Sequence, residues 1–253
     1  MAQTTYTTPG QEAPGEIYQQ AAQNGLGELA AVYKPRFTNS FLILGIALAI
    51  TIIDIAAIVV IYEIGFIVYY LVAIPIIAII WAINTLGSAN LRVYIFTTGF
   101  IRAKGRKGEV VRWDQVQAIW EKVTRSRYST SFTYTVQRAD GQTFKQGSPL
   151  QNSRDMGLRM MREISKLHLP AAQAAYRAGQ TLSFGRITVN QQGLSNGKVI
   201  VPWNQLSNVA VQSGKVYIEK DGYRLNWSPV RSAEVPNLSV LIALVKSIVQ
   251  GQK

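Results

Sequence analysis

The chain contains no cysteine. That removes disulfides, thiolate metal sites and cysteine nucleophiles at once. Histidine is nearly absent: His168 stands alone, just before Pro170, so no second imidazole exists to form a ligand pair. Acidic residues are scarce as well, 14 against 26 Lys and Arg, for a formal net charge of +12. After the long apolar stretch the carboxylates are Glu109, Asp114, Glu121, Asp140, Asp155, Glu163, Glu219, Asp221 and Glu234, scattered along the chain. Asp140 and Asp221 each precede a glycine and are accounted for as hairpin turns. Phosphate-binding glycine loops and dinucleotide fingerprints are missing. Acid–base chemistry needs positioned groups with shifted pKa values, and no such constellation is visible. The expectation is a protein that is not an enzyme, with no catalytic residues, no cofactor and no metal site.

Apolar residues, by contrast, run almost unbroken from Phe41 to Leu86, interrupted by charge only at Asp54 and Glu63. At ~1.5 Å per helical residue, a hydrocarbon layer of ~30 Å needs roughly 20 residues. Residues 41–62 and 66–86 each supply that length, joined at Glu63-Ile64-Gly65, so the expected element is a two-helix transmembrane hairpin. Lys34 and Arg36 precede it and Arg92, Arg102, Lys104, Arg106 and Lys107 follow it. Basic flanks stay inside, which predicts an integral protein of the cell (inner) membrane with both termini cytoplasmic. The first 40 residues lack a basic start and an apolar core, so no cleaved signal peptide is expected. Asp54 falls inside the first arm; its simplest reading is structural, protonated and bonded to the carbonyl of Leu71 freed by Pro75, or to Tyr70.

The segment 1–27 is polar and rich in Gln, Thr, Pro and Gly, a composition that predicts a disordered tail. Residues 28–40 form a juxtamembrane segment in which Leu29–Tyr33 suits a short strand. Beyond Gly87 the pattern switches to alternation, the mark of short antiparallel strands. A repeat then emerges. Val110-Val111-Arg112-Trp113-Asp114-Gln115-Val116 aligns with Ile200-Val201-Pro202-Trp203-Asn204-Gln205-Leu206, Asp140-Gly141 with Asp221-Gly222, and Ser148-Pro149-Leu150 with Ser228-Pro229-Val230. Each copy closes on a helix, expected at 153–167 and 237–250, with a short linking helix over 171–178. In the first, Met156, Met160, Ile164 and Leu167 should point inward; in the second, Leu238, Leu241, Ile242, Val245, Ile248 and Val249 form the apolar stripe. Trp113 and Trp203 read as core.

This layout of small β-domain, glycine turn, aliphatic-x-Trp-x-x-aliphatic strand and closing helix resembles bacterial PH-like and GRAM-like domains. Phe184-Gly185, Gly193-Leu194, Val201–Leu206 and Val235-Pro236-Asn237, with Leu26-Gly27-Glu28 and Val32–Pro35, are similar to an uncharacterised bacterial membrane-protein family. The resemblance implies an α+β membrane protein: a transmembrane hairpin, then tandem PH-like domains at 88–168 and 181–253 joined by a linker helix over 169–180. It carries over no catalytic residue.

In PH-like domains the loop between the first two strands often meets lipid head groups. Here that loop is 102–108, with Arg102, Lys104, Arg106 and Lys107; a second group, Lys122, Arg125 and Arg127, follows on a later hairpin. Residues 88–253 hold 24 Lys and Arg against 9 Asp and Glu, a net of about +15. Each cation beside an anionic bilayer gains ~1 kcal/mol. The expected role is non-catalytic binding to anionic phospholipid head groups or to a partner protein, as a scaffold or sensor. A protein-interaction scaffold using sheet edges is the alternative, and an oligomeric channel or a nucleic-acid binder stands behind both.

Overall fold

The computed structural model describes residues 13–35, 40–60, 73, 76–77, 79–83, 87, 90–105, 107–147, 150–220, 223–224 and 227–251. Among them the chain is α+β, with four small antiparallel sheets. It divides into two compact units: Met1–Val110 with Pro149–Gln151, and Val111–Ser148 with Asn152–Lys253.

In the first unit, α1 (Gly15–Gln23) and β1 (Leu29–Tyr33) precede α2 (Ser40–Val60), and β2 (Leu91–Phe96), β3 (Gly99–Lys104) and β4 (Lys107–Arg112) complete a sheet of order β1-β2-β3-β4. An ordered helix thus lies within the segment expected to be a disordered tail. The reason is local spacing that overall composition hides. Ile17 and Ala21 sit one turn apart on one helix face and, with Leu26, share a core with Tyr94, Phe96, Ile101 and Ala103. Burying a side chain such as Ile17 or Leu26 gains ~1.5–3 kcal/mol, which favours the helix packed on the sheet.

No helix among the described residues is long and apolar enough to cross a membrane. This overturns the expected transmembrane hairpin over 41–62 and 66–86, and with it the integral inner-membrane placement with cytoplasmic termini. The expectation rested on length and hydropathy alone; of its second arm only residues 73, 76–77 and 79–83 are among those described. In α2, Ala47 is buried against Ala82, and Thr51 Oγ1 donates to the Ala47 carbonyl at 2.9 Å. Asp54 falls in α2, but its side chain, like residues Tyr70, Leu71 and Pro75, lies outside the described part.

In the second unit, β5 (Val116–Arg125), β6 (Thr130–Arg138) and β7 (Thr143–Gln146) make a three-stranded meander followed by α3 (Ser153–Arg177). Asp140-Gly141 forms the β6–β7 turn, where Gly141 takes φ 85° and Asp140 Oδ1 accepts from the Gln142 N–H at 3.0 Å. Asp221-Gly222 lies outside the described residues. α3 is one helix that runs through Pro170, in place of two helices broken there. Proline removes one interior hydrogen bond without forbidding continuation. Met156, Met160 and Ile164 are buried as the spacing predicts, whereas Leu167 is exposed.

The chain then forms β8 (Leu182–Phe184), β9 (Ile187–Asn190), β10 (Gly193–Ser195) and β11 (Ile200–Pro202) in one sheet. A second is built from β12 (Asn208–Gln212), β13 (Lys215–Lys220), β14 (Tyr223–Arg224) and β15 (Val230–Arg231), and α4 (Leu238–Gly251) follows. Both sheets and α4 contribute to a single core that includes Ile187, Leu194, Trp203, Val216, Leu241 and Val245. The aligned tryptophan segments adopt the same local structure. Trp113–Gln115 and Trp203–Gln205 each form one turn of 3-10 helix between two strands, and both indoles are buried. Trp203 Nε1 donates to the Asn190 carbonyl at 3.0 Å.

Candidate functional site

The cations singled out in the sequence do not form one surface. Arg102 and Lys104 belong to strand β3 rather than to a loop. Arg102 is tied to Glu109 at 3.5 Å, while Lys104 is exposed beside Gly105, whose φ of 73° turns the chain toward β4. Arg106 lies outside the described residues, as does the side chain of Lys107.

The second group is fully described, and the sheet divides it. Alternate residues of a strand face opposite sides. The register Trp120↔Thr135, Lys122↔Thr133 and Thr135↔Lys145 places Lys122 on one face of β5–β6–β7. There Trp120, Lys122, Thr133, Thr135, Thr143 and Lys145 line a shallow groove of about 510 Å³. Arg125 takes the opposite face, paired with Thr130 and in line with Glu121 and Val123.

Arg127 occupies the hairpin tip with Tyr128. The tip is held by hydrogen bonds: the Ser126 N–H donates to the Ser129 carbonyl at 2.8 Å, and the Ser129 N–H donates to Ser126 Oγ at 3.1 Å. That closure leaves Tyr128 90% exposed, with Arg125 and Arg127 exposed beside it. No acidic residue occurs between Lys122 and Arg138. A large aromatic is thus turned to solvent on a hydrogen-bonded loop, with exposed arginines beside it.

Behind the hairpin, Glu121 accepts a hydrogen bond from Tyr134 Oη at 2.9 Å. Burial, with the Glu121 charge adding to it, pushes the Tyr134 hydroxyl well above its ordinary range, so it stays a donor. The outer edge of β5 is not free. The Asn237 N–H donates to the Ile119 carbonyl at 2.8 Å, Asn237 Oδ1 accepts from the Ile119 N–H at 3.0 Å, and Asn237 Nδ2 donates to the Gln117 carbonyl at 3.1 Å. Ser232 Oγ donates to the Glu121 carbonyl at 2.9 Å. Asn237 holds φ 52°, the left-handed backbone that asparagine tolerates, and this aims its amide along the strand. Nearby, Arg186 and Arg231 hold the Glu234 carboxyl below the usual carboxylate range.

His168 has a structural contact, its Nε2 lying 2.9 Å from the Val116 carbonyl. Among the described residues no group of His, Asp and Glu is placed to hold a metal ion. Sequence reasoning did not find Lys145 or Arg154. Lys145 was recoverable, because laying the β6–β7 hairpin out from its Asp140-Gly141 turn brings it beside Thr135 and hence Trp120. No local signal marks Arg154.

A family model described as "Family of unknown function (DUF6585)" matches residues 1–253. The chain belongs to that family. No curated protein and no solved structure matches it.

Proposed function

We propose that this member of a family of unknown function is a non-catalytic binding protein that docks on anionic lipid surfaces through the tip of the β5–β6 hairpin. One observation carries the reading: Tyr128 stands 90% exposed on a loop closed by Ser126 and Ser129, beside Arg125 and Arg127. A tyrosine ring is amphipathic and suits the head-group layer. Arginine offers phosphate a two-pronged set of donors. A PH-like reading is supported by the arrangement in the second copy, where a four-stranded sheet, a tryptophan-bearing 3-10 turn, a small second sheet and a closing helix follow in order. The edge-capture alternative is disfavoured at β5, because Ser232 and Asn237 already occupy that edge.

The test is sedimentation of the full chain with anionic and with neutral vesicles, at low and high salt. Binding confined to anionic vesicles and weakened by salt is expected. Replacing one arginine by an acid removes ~1 kcal/mol of attraction and adds similar repulsion, so Arg127→Glu should weaken binding roughly 30-fold. Equal binding to both vesicle types, or an unchanged Arg127→Glu variant, overturns the proposal.

A further inference from the structure

A cavity of about 430 Å³ opens on the inner side of the same hairpin. It lies within the second unit, among β5, β6, α3, the β12–β13 turn and the start of α4. Its volume falls in the ~300–1,000 Å³ range of small-ligand sites. Its chemistry is divided. Phe132, Leu158, Met161, Leu238 and Ile242 give it an apolar wall. Arg125 and Arg154 give it two guanidinium groups, against the single carboxylate of Glu121.

Two features of this lining bear on what it would hold. Leu158 is 45% and Val211 38% exposed, and they come from different elements yet converge on the same space. Arg125 and Arg154 form no ion pair among the described residues. Arg154 instead lies over the Phe132 ring, 5.5 Å from its centroid, and Arg125 Nη1 reaches Ser213 Oγ at 3.5 Å. The Arg154 contact keeps a cation against the apolar wall, at the boundary where a molecule with a charged head and a hydrocarbon chain would change character.

We propose that this cavity binds a single-chain anionic amphiphile, a fatty carboxylate, with the carboxylate held between Arg154 and Arg125 and the chain laid on Phe132, Leu158 and Ile242. A carboxylate presents two oxygens to a guanidinium fork and forms a charge-assisted pair. The chain covers the apolar atoms that Leu158 and Val211 leave in water. A cationic amphiphile of the same length would place its head against two like charges. The cavity shares Arg125 with the flank of the docking surface, but Arg127 and Tyr128 on the tip do not line it.

The experiment titrates the full chain with carboxyl-labelled laurate below its micelle concentration and follows the carboxyl carbon by NMR. Dodecyltrimethylammonium serves as the competitor. Saturable one-to-one binding that the cation does not displace is expected. Arg154→Gln keeps a polar side chain and removes the charge and the guanidinium fork; it should weaken laurate binding at least tenfold. Leu158→Glu, at an exposed position, should do the same by placing a carboxylate beside the chain. Arg127→Glu should leave laurate binding unchanged, which separates this site from the vesicle-docking surface. No saturable binding, displacement by the cation, or binding that survives both Arg154→Gln and Leu158→Glu overturns the proposal.

Discussion

The two copies of the repeat end in helices of opposite character. In α4, seven of 14 residues are buried: Leu238, Val240, Leu241, Leu244, Val245, Ile248 and Val249. In α3, five of 25 are buried: Met156, Gly157, Met160, Met161 and Ile164. The second copy therefore closes a core, while the first leaves Arg154 and Leu158 of its helix lining a cavity and turns a basic hairpin to solvent. α4 is thus mostly core, whereas α3 leaves more of its surface to the cavity that it lines together with Leu238 and Ile242 of α4. Changes in the second copy should lower stability, and changes on the open side of the first should alter binding with the fold intact.

The largest effect should come from Leu241→Ala, which hollows the α4 core where Leu241 is fully buried. A loss of ~2–5 kcal/mol in urea-induced unfolding is expected. A loss under ~1 kcal/mol would mean that α4 closes nothing. Next is Asn237→Gly, which keeps the left-handed backbone and deletes the two side-chain hydrogen bonds to β5. Leaving the Ile119 N–H and the Gln117 carbonyl without those partners should lower stability by ~2–3 kcal/mol. Asn237→Ala should lower it further, since alanine is strained at that φ.

Gly157→Ala sharpens the contrast within α3. In an exposed helix this change stabilises by ~1 kcal/mol. Here a methyl group would overlap the Tyr134 ring, which is itself buried and anchored on Glu121. Net destabilisation of ~1–3 kcal/mol by overpacking is expected from thermal unfolding; a stabilised variant would show that α3 is loosely docked. A smaller, pH-dependent effect belongs to Glu234. Its pKa is lowered in the folded chain by Arg186 and Arg231. Its contribution is therefore present above the unfolded carboxylate pKa and is lost as pH falls through the folded value. The Tm difference between the parent and Glu234→Gln should be visible near neutrality and should vanish in acid. A difference that grows in acid would contradict the assignment. The smallest change in stability should be that of Tyr128→Ser, within about ±0.5 kcal/mol, while its affinity for anionic vesicles falls.

Much of the fold can be read in the residues. Alternation marks Phe132, Tyr134 and Val136 as one face of a strand, and all three lie on the inner side of β6. The i, i+3, i+4 stripe of α4 is legible because polar Ser239, Lys246 and Ser247 interrupt its apolar residues. α2 shows the converse: it is apolar all round, so composition identified a greasy segment and nothing in its periodicity said how that segment is used. Reading it as one arm of a transmembrane hairpin took length and hydropathy as sufficient. The candidate site was half legible. Charge density pointed to Lys122, Arg125 and Arg127, but reading them as one patch ignored that residues three apart on a strand face opposite ways.

The features legible from the residues are local and periodic: the doubled tryptophan turn, the Asp140-Gly141 hairpin and the alternation of the strands. All of these follow from interactions within a few residues. Long-range packing sets which side of β5–β6–β7 is covered, brings Asn237 to the β5 edge from 118 residues away, and places Arg154 over Phe132 beside an open cavity. The physical reason is that a strand's pattern says its two faces differ, whereas the identity of what packs on each face is set by contacts between distant segments, which no local pattern encodes.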